Sequence, residues 1–192
     1  LKFGRSDGFR RLPTLLPVEL IKHYNSCGTI GQEEWQMTTR ITAGAFLVCG
    51  GKVLLIKRGM HNELSTGKWA GVGGHLDLED IKNPRTIDFS ETCYREIYEE
   101  AGIERNDIRN LRLRYIAMRK AETEIRFHYH YFGEIDEIEL PKCSEGDFFW
   151  VEVNEISGLE MSPSVGDALN HWMKNPHDNE VYFLVIDSGI NQ

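Results

Sequence analysis

The segment from Arg95 to Ile103 constrains this chain more than any other, because it combines three glutamates with a closing glycine. Residues three and four positions apart share one face of an α-helix, so Glu96, Glu99 and Glu100 are predicted to form one acidic stripe. Like charges at that spacing destabilise a helix unless a cation offsets them. Oxygen ligands of this kind suit Mg²⁺ or Mn²⁺. The ordinary alternative is an acidic face exposed to solvent.

The opposite side of the predicted helix is apolar. At 100° per residue, the side chains facing away from the glutamates are Cys93, Tyr94, Ile97, Tyr98 and Ala101. We predict a helix over residues 88–101, in which this face, including the Cys93 thiol, is buried. Asp88 and Glu91 have the spacing of a capping box, and Gly102 stands where a helix commonly ends in the left-handed conformation.

A glycine-rich turn precedes this helix. Two adjacent glycines, Gly73 and Gly74, allow the backbone to approach a ligand closely. With the turn followed by the acidic helix, the chain resembles the Nudix hydrolase family, whose motif is G-x5-E-x7-R-E-U-x-E-E-x-G-U, where U is bulky and aliphatic. The second half of the motif is matched at Arg95, Glu96, Ile97, Glu99, Glu100, Gly102 and Ile103. The first half is matched at Gly74.

The spacing inside the motif departs from the family pattern. Gly74 and Arg95 lie 21 positions apart where the motif sets 14, so seven residues are extra. We place an insertion between Asp80 and Asp88, where a proline suits a loop. The first motif glutamate is then represented by Glu79 or Asp80, or it is missing.

The resemblance implies hydrolysis of a diphosphate linkage with Mg²⁺, for which Mn²⁺ could substitute. It makes Glu99 and Glu100 the core metal ligands and gives Glu96 a part in metal binding or water activation. A backbone carbonyl of the turn, at Gly73, would complete the metal sphere. Arg95 would orient a ligand carboxylate through a forked contact, although a plain surface ion pair is the alternative.

Substrate contacts are expected from Gly73, Gly74, Arg58 and Glu145. Arg58 ends a predicted strand, where family members often place cations that contact phosphate, although ordinary surface charge explains it equally well. Glu145 and Asp147 precede another strand, and either could be an additional base or ligand, or part of a solvated turn. The substrate implied is a nucleoside diphosphate derivative. A (d)NTP or a modified nucleotide is favoured, and nucleotide sugars and dinucleoside polyphosphates remain open.

Three histidines lie near these candidates without a motif of their own. His128 and His130 alternate with aromatic residues, so they should point to one face of a strand. Since no third ligand for zinc is evident, we expect a polar sheet face that lines the substrate cleft. His75 follows the glycines, and a lone histidine there is more often structural than a metal ligand.

Hydrophobic periodicity predicts an α/β (α+β) fold. Strands are expected over residues 38–49, 52–58, 108–119, 124–135, 148–153 and 181–186, and a second helix over residues 164–174. Together with the resemblance, this order implies an α/β/α sandwich with a mixed central sheet. Residues 1–37 are assigned to an N-terminal extension, partly helical from Pro17, and residues 38–192 to the Nudix-like hydrolase domain.

Composition and charge limit the classes of partner that the chain is expected to bind. The net charge is −8 and no block of lysine or arginine is present, which argues against a nucleic-acid polymer or an anionic membrane as the main partner. The four cysteines are widely spaced, and neither a signal-peptide pattern nor an apolar run of 18 residues occurs, so we expect a cytoplasmic protein. Homodimers are frequent in the family, and a homodimer is compatible with this sequence.

Two other functions remain open. An enzyme resembling isopentenyl-diphosphate isomerase would need a catalytic cysteine in the early strands, where Cys49 is the candidate. A Nudix-like sensor would bind a nucleotide or sugar phosphate without turnover. Retention of Glu96, Glu99 and Glu100 argues against a sensor, whereas the insertion between Asp80 and Asp88 keeps that hypothesis open.

Overall fold

A mixed sheet flanked by helices forms the body of the protein. The computed structural model describes residues 9–11, 38–59, 66–83, 88–121, 123–140 and 142–186. Its strands are β1 (Phe9–Arg11), β2 (Thr38–Cys49), β3 (Lys52–Arg58), β4 (Trp69–Ala70), β5 (Val72–His75), β6 (Arg109–Lys120), β7 (Glu124–Glu134), β8 (Gly146–Glu152) and β9 (Tyr182–Ile186). Its α-helices are α1 (Ser90–Ala101) and α2 (Pro163–Lys174), and three short 3₁₀ helices cover Leu78–Asp80, Arg105–Asp107 and Val153–Gly158.

All nine strands found among the described residues belong to one sheet, in the order β1-β9-β6-β7-β2-β3-β4, while β5 also pairs with β2 and β8 with β3. The pairs β2/β7 and β6/β9 are parallel, and the other pairs are antiparallel. The predicted mixed sheet is therefore confirmed. Strand β1 lies within the predicted extension, and the helix expected from Pro17 falls outside the described residues.

The residues of the β2–β3 turn determine where these two strands end and begin. Gly50 and Gly51 form its turn with φ of 53° and 88°, a left-handed pair of residues that glycine adopts at little cost. The strands on either side begin and end where the sequence predicts.

Side chains that alternate along the strands build two apolar layers. On one face, Ala43, Ala45 and Leu47 pack in a cluster that includes Cys93 and Ile97 of α1. On the other face, side chains of the same strands pack with α2, in a cluster that includes Phe46, Tyr115, Phe132, Leu169 and Trp172. Because the central strands bury one face against α1 and the other against α2, the predicted α/β/α sandwich is confirmed.

The first turn of α1 differs from the prediction. The helix begins at Ser90, and the capping box does not form, because Glu91 binds Arg105 instead, with Nη1 and Oε1 2.7 Å apart. Asp88 remains outside the helix, where its Oδ1 accepts a hydrogen bond from the Ser90 N–H at 3.0 Å and one from the Tyr131 hydroxyl at 3.1 Å. Arg105 and Tyr131 are tertiary partners of the two predicted capping residues, whereas the bond from Ser90 to Asp88 is local.

The end and the apolar face of α1 follow the prediction more closely. Gly102 ends the helix with φ of 64°, in the left-handed conformation. Cys93 and Ile97 are fully buried, and burial raises the pKa of the Cys93 thiol. The expectation for Tyr98 is wrong, since 55% of its surface is exposed.

The second helix, α2, covers the segment predicted and begins at Pro163, whose fixed φ and missing N–H suit a first turn. Within the residues that the structure describes, no helix has the length and apolar character required to cross a bilayer.

Candidate active site

The segment predicted as a glycine turn is extended in the structure, because Gly73 and Gly74 lie in β5 and pair with β2. A cavity of about 570 Å³ lies beside this segment, for which we keep the name glycine turn. The glycine turn contributes Gly73 and Gly74, and the described carboxylates at the cavity are those of Asp77, Glu96, Glu100 and Glu145. Two predicted carboxylates of α1 are therefore brought to the predicted glycine turn, although more than twenty positions separate them in sequence.

Both glycines are required by their surroundings. A Cβ on Gly74 would lie 2.2 Å from Oε1 of Glu96, so the absent side chain leaves the space that the carboxylate occupies. A Cβ on Gly73, where φ is 156°, would lie 2.4 Å from the carbonyl oxygen of Ala43 on β2. Gly74 therefore leaves room for the Glu96 carboxylate, and Gly73 permits close contact between β5 and β2.

The carboxyl groups of Glu96 and Glu100 have raised pKa values. Burial raises the pKa of Glu100 to about 7, and the negative charges of Glu145 and Glu96 act in the same direction. The positive charge of Arg58 and a hydrogen bond with the Gly73 backbone only partly offset this effect. Burial also raises the pKa of Glu96. The two carboxyl groups are thus less readily ionised than exposed glutamates, mainly because they are buried.

Glu99 stands apart from the cavity. Its side chain is 55% exposed and accepts a hydrogen bond from Arg95, with Nη1 and Oε2 3.1 Å apart. The predicted acidic stripe is present, but Glu96 and Glu100 face the glycine turn, whereas Glu99 lies beside them on the surface.

Arg95 connects the carboxylates of this region. Its forked contact, expected with a ligand carboxylate, is made with Asp80, with Nε to Oδ1 at 3.2 Å and Nη2 to Oδ2 at 3.0 Å. Its Nη1 also donates to Oε1 of Glu96 at 3.0 Å, and its Nη2 donates to the carbonyl of His75 at 2.9 Å. Arg95 therefore holds the glycine turn, the segment before the insertion and α1 together.

Of Glu79 and Asp80, the two residues considered for the first motif glutamate, Asp80 is the one that binds Arg95. Asp80 is buried, whereas Glu79 is exposed. Burial acts to raise the pKa of Asp80, but hydrogen bonds, above all those from Arg95, outweigh it and hold the pKa below its usual value. The carboxylate that supports Arg95 is thus that of Asp80.

The two predicted substrate contacts outside the motif lie together. Nη1 of Arg58 and Oε2 of Glu145 are 2.9 Å apart, and both side chains line the cavity. Asp147, the other acidic candidate near β8, pairs in register with Lys57 and is not among the described residues that line the cavity.

The three histidines line the same cavity. The rings of His128 and His130 are nearly parallel, with centroids 6.3 Å apart, as expected for one strand face. Nδ1 of His128 lies 2.7 Å from the Thr42 hydroxyl, and Nε2 of His75 accepts from Nε of Arg40 at 2.6 Å. Burial, followed by the charge of His128, lowers the pKa of His130 to about 3.

Three arginines at the cavity were not singled out from the sequence. They are Arg40, Arg119 and Arg126, which lie on β2, β6 and β7. No motif contains them. The sequence places Arg126 two and four residues before His128 and His130, so alternation alone would place these side chains on one face of the strand. The register that brings Arg40 and Arg119 beside Arg126 depends on pairing between distant strands and could not be read from the sequence.

Comparison with known proteins identifies the family. The model of the NUDIX domain matches residues 38–173, whereas no curated protein sequence matches the chain significantly. A mutator MutT protein from Bacillus halodurans superimposes with a TM-score of 0.60 at 20% identity, over 77% of this chain and 89% of that one.

Two further solved structures share the fold. A NUDIX hydrolase from Nitrosomonas europaea has a TM-score of 0.60 at 18% identity, over 85% of each chain. An Ap4A hydrolase from C. elegans has a TM-score of 0.53 at 14% identity, over 73% of this chain and 98% of that one. Because the family model covers more than half of the residues, the chain belongs to the NUDIX domain family and is a hydrolase of the Nudix type.

Proposed function

We propose that this chain catalyses the Mg²⁺-dependent hydrolysis of a diphosphate linkage in a nucleoside diphosphate derivative, with a (d)NTP-like or modified nucleotide as the favoured substrate. The observation that carries the proposal is the placement of Glu96 and Glu100 beside the glycine turn, with the pKa of both raised. Carboxylates crowded in this way favour a cation, because a positive charge removes their mutual repulsion.

The donor set suits magnesium. Among the described residues, no three histidine, cysteine, aspartate or glutamate side chains are grouped so that they could hold a metal ion alone. Mg²⁺ is commonly bound through one or two carboxylates together with water and substrate phosphates. Glu96 and Glu100 would hold the ion, and the Gly73 carbonyl and Glu99 are the further proposed ligands. The chemistry that the ion supplies when bound is neutralisation of phosphate charge and a lower pKa for the attacking water.

The protein residues position the reactants. Arg95 binds Glu96 and is itself held by buried Asp80, so the Glu96 carboxylate cannot swing away from the cavity. Arg58 presents a cation at the cavity and is steered there by Glu145, which makes it the proposed phosphate contact.

The alternatives are less well supported. An isomerase mechanism would need a thiol at the site, but Cys49 is not among the described residues that line this cavity and lies at a second one. A sensor would not require crowded carboxylates beside the turn. The Ap4A hydrolase among the structural neighbours keeps dinucleoside polyphosphates among the substrates to be tested.

The test is product release from a panel of (d)NTPs, oxidised nucleotides, nucleotide sugars and dinucleoside polyphosphates, with Mg²⁺, with Mn²⁺ and with EDTA. Glu100→Gln should abolish most of the turnover, whereas Glu104→Gln removes one exposed carboxylate just after α1 and should preserve it. Turnover that persists in EDTA or in Glu100→Gln would contradict the proposal. Metal-dependent nucleotide binding without turnover would favour the sensor.

A further inference from the structure

We propose that the row of Arg40, Arg126 and Arg119, hereafter the arginine row, binds a second phosphate of the substrate, away from the linkage that is cleaved. The preferred substrate would then be a nucleoside diphosphate derivative that carries an additional phosphate monoester. This inference rests on the proposed function for its reaction, but the binding site follows from other residues.

Strand register places the three arginines side by side. Arg40 on β2 pairs with Arg126 on β7, and Arg126 pairs with Arg119 on β6. Residues directly opposite one another on neighbouring strands point to the same face of the sheet, with the strands roughly 4.8 Å apart. All three arginines line the cavity. Like charges in direct register destabilise a sheet, so a bound anion would relieve their repulsion.

The chain itself neutralises this row only partly. Among the described residues, the ion pairs of the row are limited to that of Glu124 with Arg126. Arg40 donates to a histidine nitrogen rather than to a carboxylate. Burial lowers the pKa of His128, and the positive charges of all three arginines lower it further. The field of the row thus converges on the cavity.

His130 supplies a second, independent indication of a ligand. Its side chain is 94% buried at the same cavity, two residues along β7 from His128, and the described residues offer no hydrogen-bond partner to its Nε2. An unpaired buried nitrogen is costly unless a ligand satisfies it. Because His130 pairs with Gly44, four residues beyond Arg126 along β7, the group that satisfies it would belong to the part of the ligand that lies beside the glycines.

The backbone of the arginine row is separated from the glycines of the carboxylate site by more than the width of one phosphate. Gly74 and Gly73 pair with Ala43 and Gly44 of β2, three and four residues beyond Arg40. That separation is roughly 10–13 Å along the strand. If the scissile diphosphate lies at the glycines, the phosphate at the row must be joined to it through a sugar or a similar spacer.

The experiment uses pairs of substrates that differ by one phosphate monoester, namely NADPH with NADH and coenzyme A with dephospho-coenzyme A. We expect the wild-type enzyme to prefer a phosphorylated member, and Arg119→Gln to reduce that kcat/KM ratio about tenfold, chiefly through KM. Arg112→Gln is the matched control, since Arg112 is also an exposed arginine of β6 but lies at the second cavity. It should preserve the ratio.

Binding is measured separately so that the inference does not depend on turnover. Adenosine 2′,5′-bisphosphate should stabilise the wild-type protein against heating more than AMP does, and Arg119→Gln should remove the difference. Equal stabilisation by the two nucleotides, or equal losses for both members of each pair, would overturn the inference. Stabilisation by inorganic phosphate alone that matches the bisphosphate would also overturn it, because the row would then bind a free anion.

The outcomes separate the two proposals. Metal-dependent turnover without any preference for the additional phosphate would leave the proposed hydrolysis intact and reject the arginine row as a substrate subsite. Selective binding of the bisphosphate by a protein that shows no turnover would support the arginine row and reject the proposed hydrolysis.

Discussion

Arg95 binds both carboxylate oxygens of Asp80, with Nε to Oδ1 at 3.2 Å and Nη2 to Oδ2 at 3.0 Å. The same guanidinium holds Oε1 of Glu96 at 3.0 Å, so a buried aspartate outside α1 determines how a carboxylate of α1 faces the cavity. Two-point contacts of this kind set orientation as well as charge.

Arg95→Lys should separate these effects, because an ammonium retains the charge but cannot make the fork. We expect kcat to fall at least tenfold and the free energy of unfolding to fall by about 1–2 kcal/mol. Steady-state rates measure the first change, and urea unfolding measures the second. Arg105→Lys is the control, because Arg105 pairs with Glu91 in a more exposed contact of the same helix. Equal behaviour of the two variants would contradict an orienting role for Arg95.

Alanine at the two glycines should have different consequences. In Gly74→Ala the new Cβ displaces the Glu96 carboxylate, a flexible group, so the fold should survive while Mg²⁺ affinity and kcat fall. In Gly73→Ala the new Cβ meets the backbone of Ala43 and Gly44, so the melting temperature should fall by several degrees. Calorimetry and metal titration of both variants provide the measurement. A destabilised Gly74→Ala with normal Mg²⁺ affinity would refute this explanation.

Glu100→Gln should stabilise the metal-free protein at neutral pH. The pKa of Glu100 is about 7 in the folded state and lies near 4.5 when unfolded, so the folded state favours the protonated form. Stability from this group is present below pH 4.5 and is lost as the pH rises through 7. At pH 7.5 the uncharged amide should raise the free energy of unfolding by about 1–3 kcal/mol in EDTA, and by little at pH 4.5. Urea unfolding at the two pH values tests this, and an equal effect at both would exclude the burial of a charge as the cause.

His130 should make the protein sensitive to acid. Burial lowers the pKa of His130 from 6.5 to about 3. Below pH 6.5 the unfolded chain therefore binds a proton at this residue, whereas the folded chain does not until the pH approaches 3. Stability is therefore lost as the pH falls from 6.5 toward 3. The loss at pH 5 is about 2 kcal/mol relative to pH 7.5.

His130→Phe should remove that loss, since the new ring cannot be protonated and the site already adjoins Phe46, with centroids 5.7 Å apart. Unfolding measured from pH 7.5 to pH 5 should show a flatter profile than the wild type. The same substitution at exposed His177 should leave the profile unchanged, because its side chain meets solvent in both states. A steep profile retained in His130→Phe would assign the acid sensitivity to other groups.

Features that depend on neighbouring residues could be predicted from the sequence. The hairpin at Gly50 and Gly51 and the end of α1 at Gly102 follow from glycine's access to positive φ. The strand bounds follow from side-chain alternation, because one residue of register changes which face is buried. The motif likewise identified Glu96, Glu100 and the glycine turn as candidates, and their roles stay predictions until the variants are measured.

Features that depend on residues far apart were decided by tertiary structure. Which carboxylate supports Arg95, Glu79 or Asp80, depends on how the chain turns before the insertion, and local spacing does not specify that path. The capping box predicted at Asp88 does not form, and the Asp88 carboxylate instead accepts a hydrogen bond from Tyr131 on another element. The arginine row exists because β2, β7 and β6 pair in one register, and pairing between distant strands is set by the burial of two whole faces rather than by any short segment.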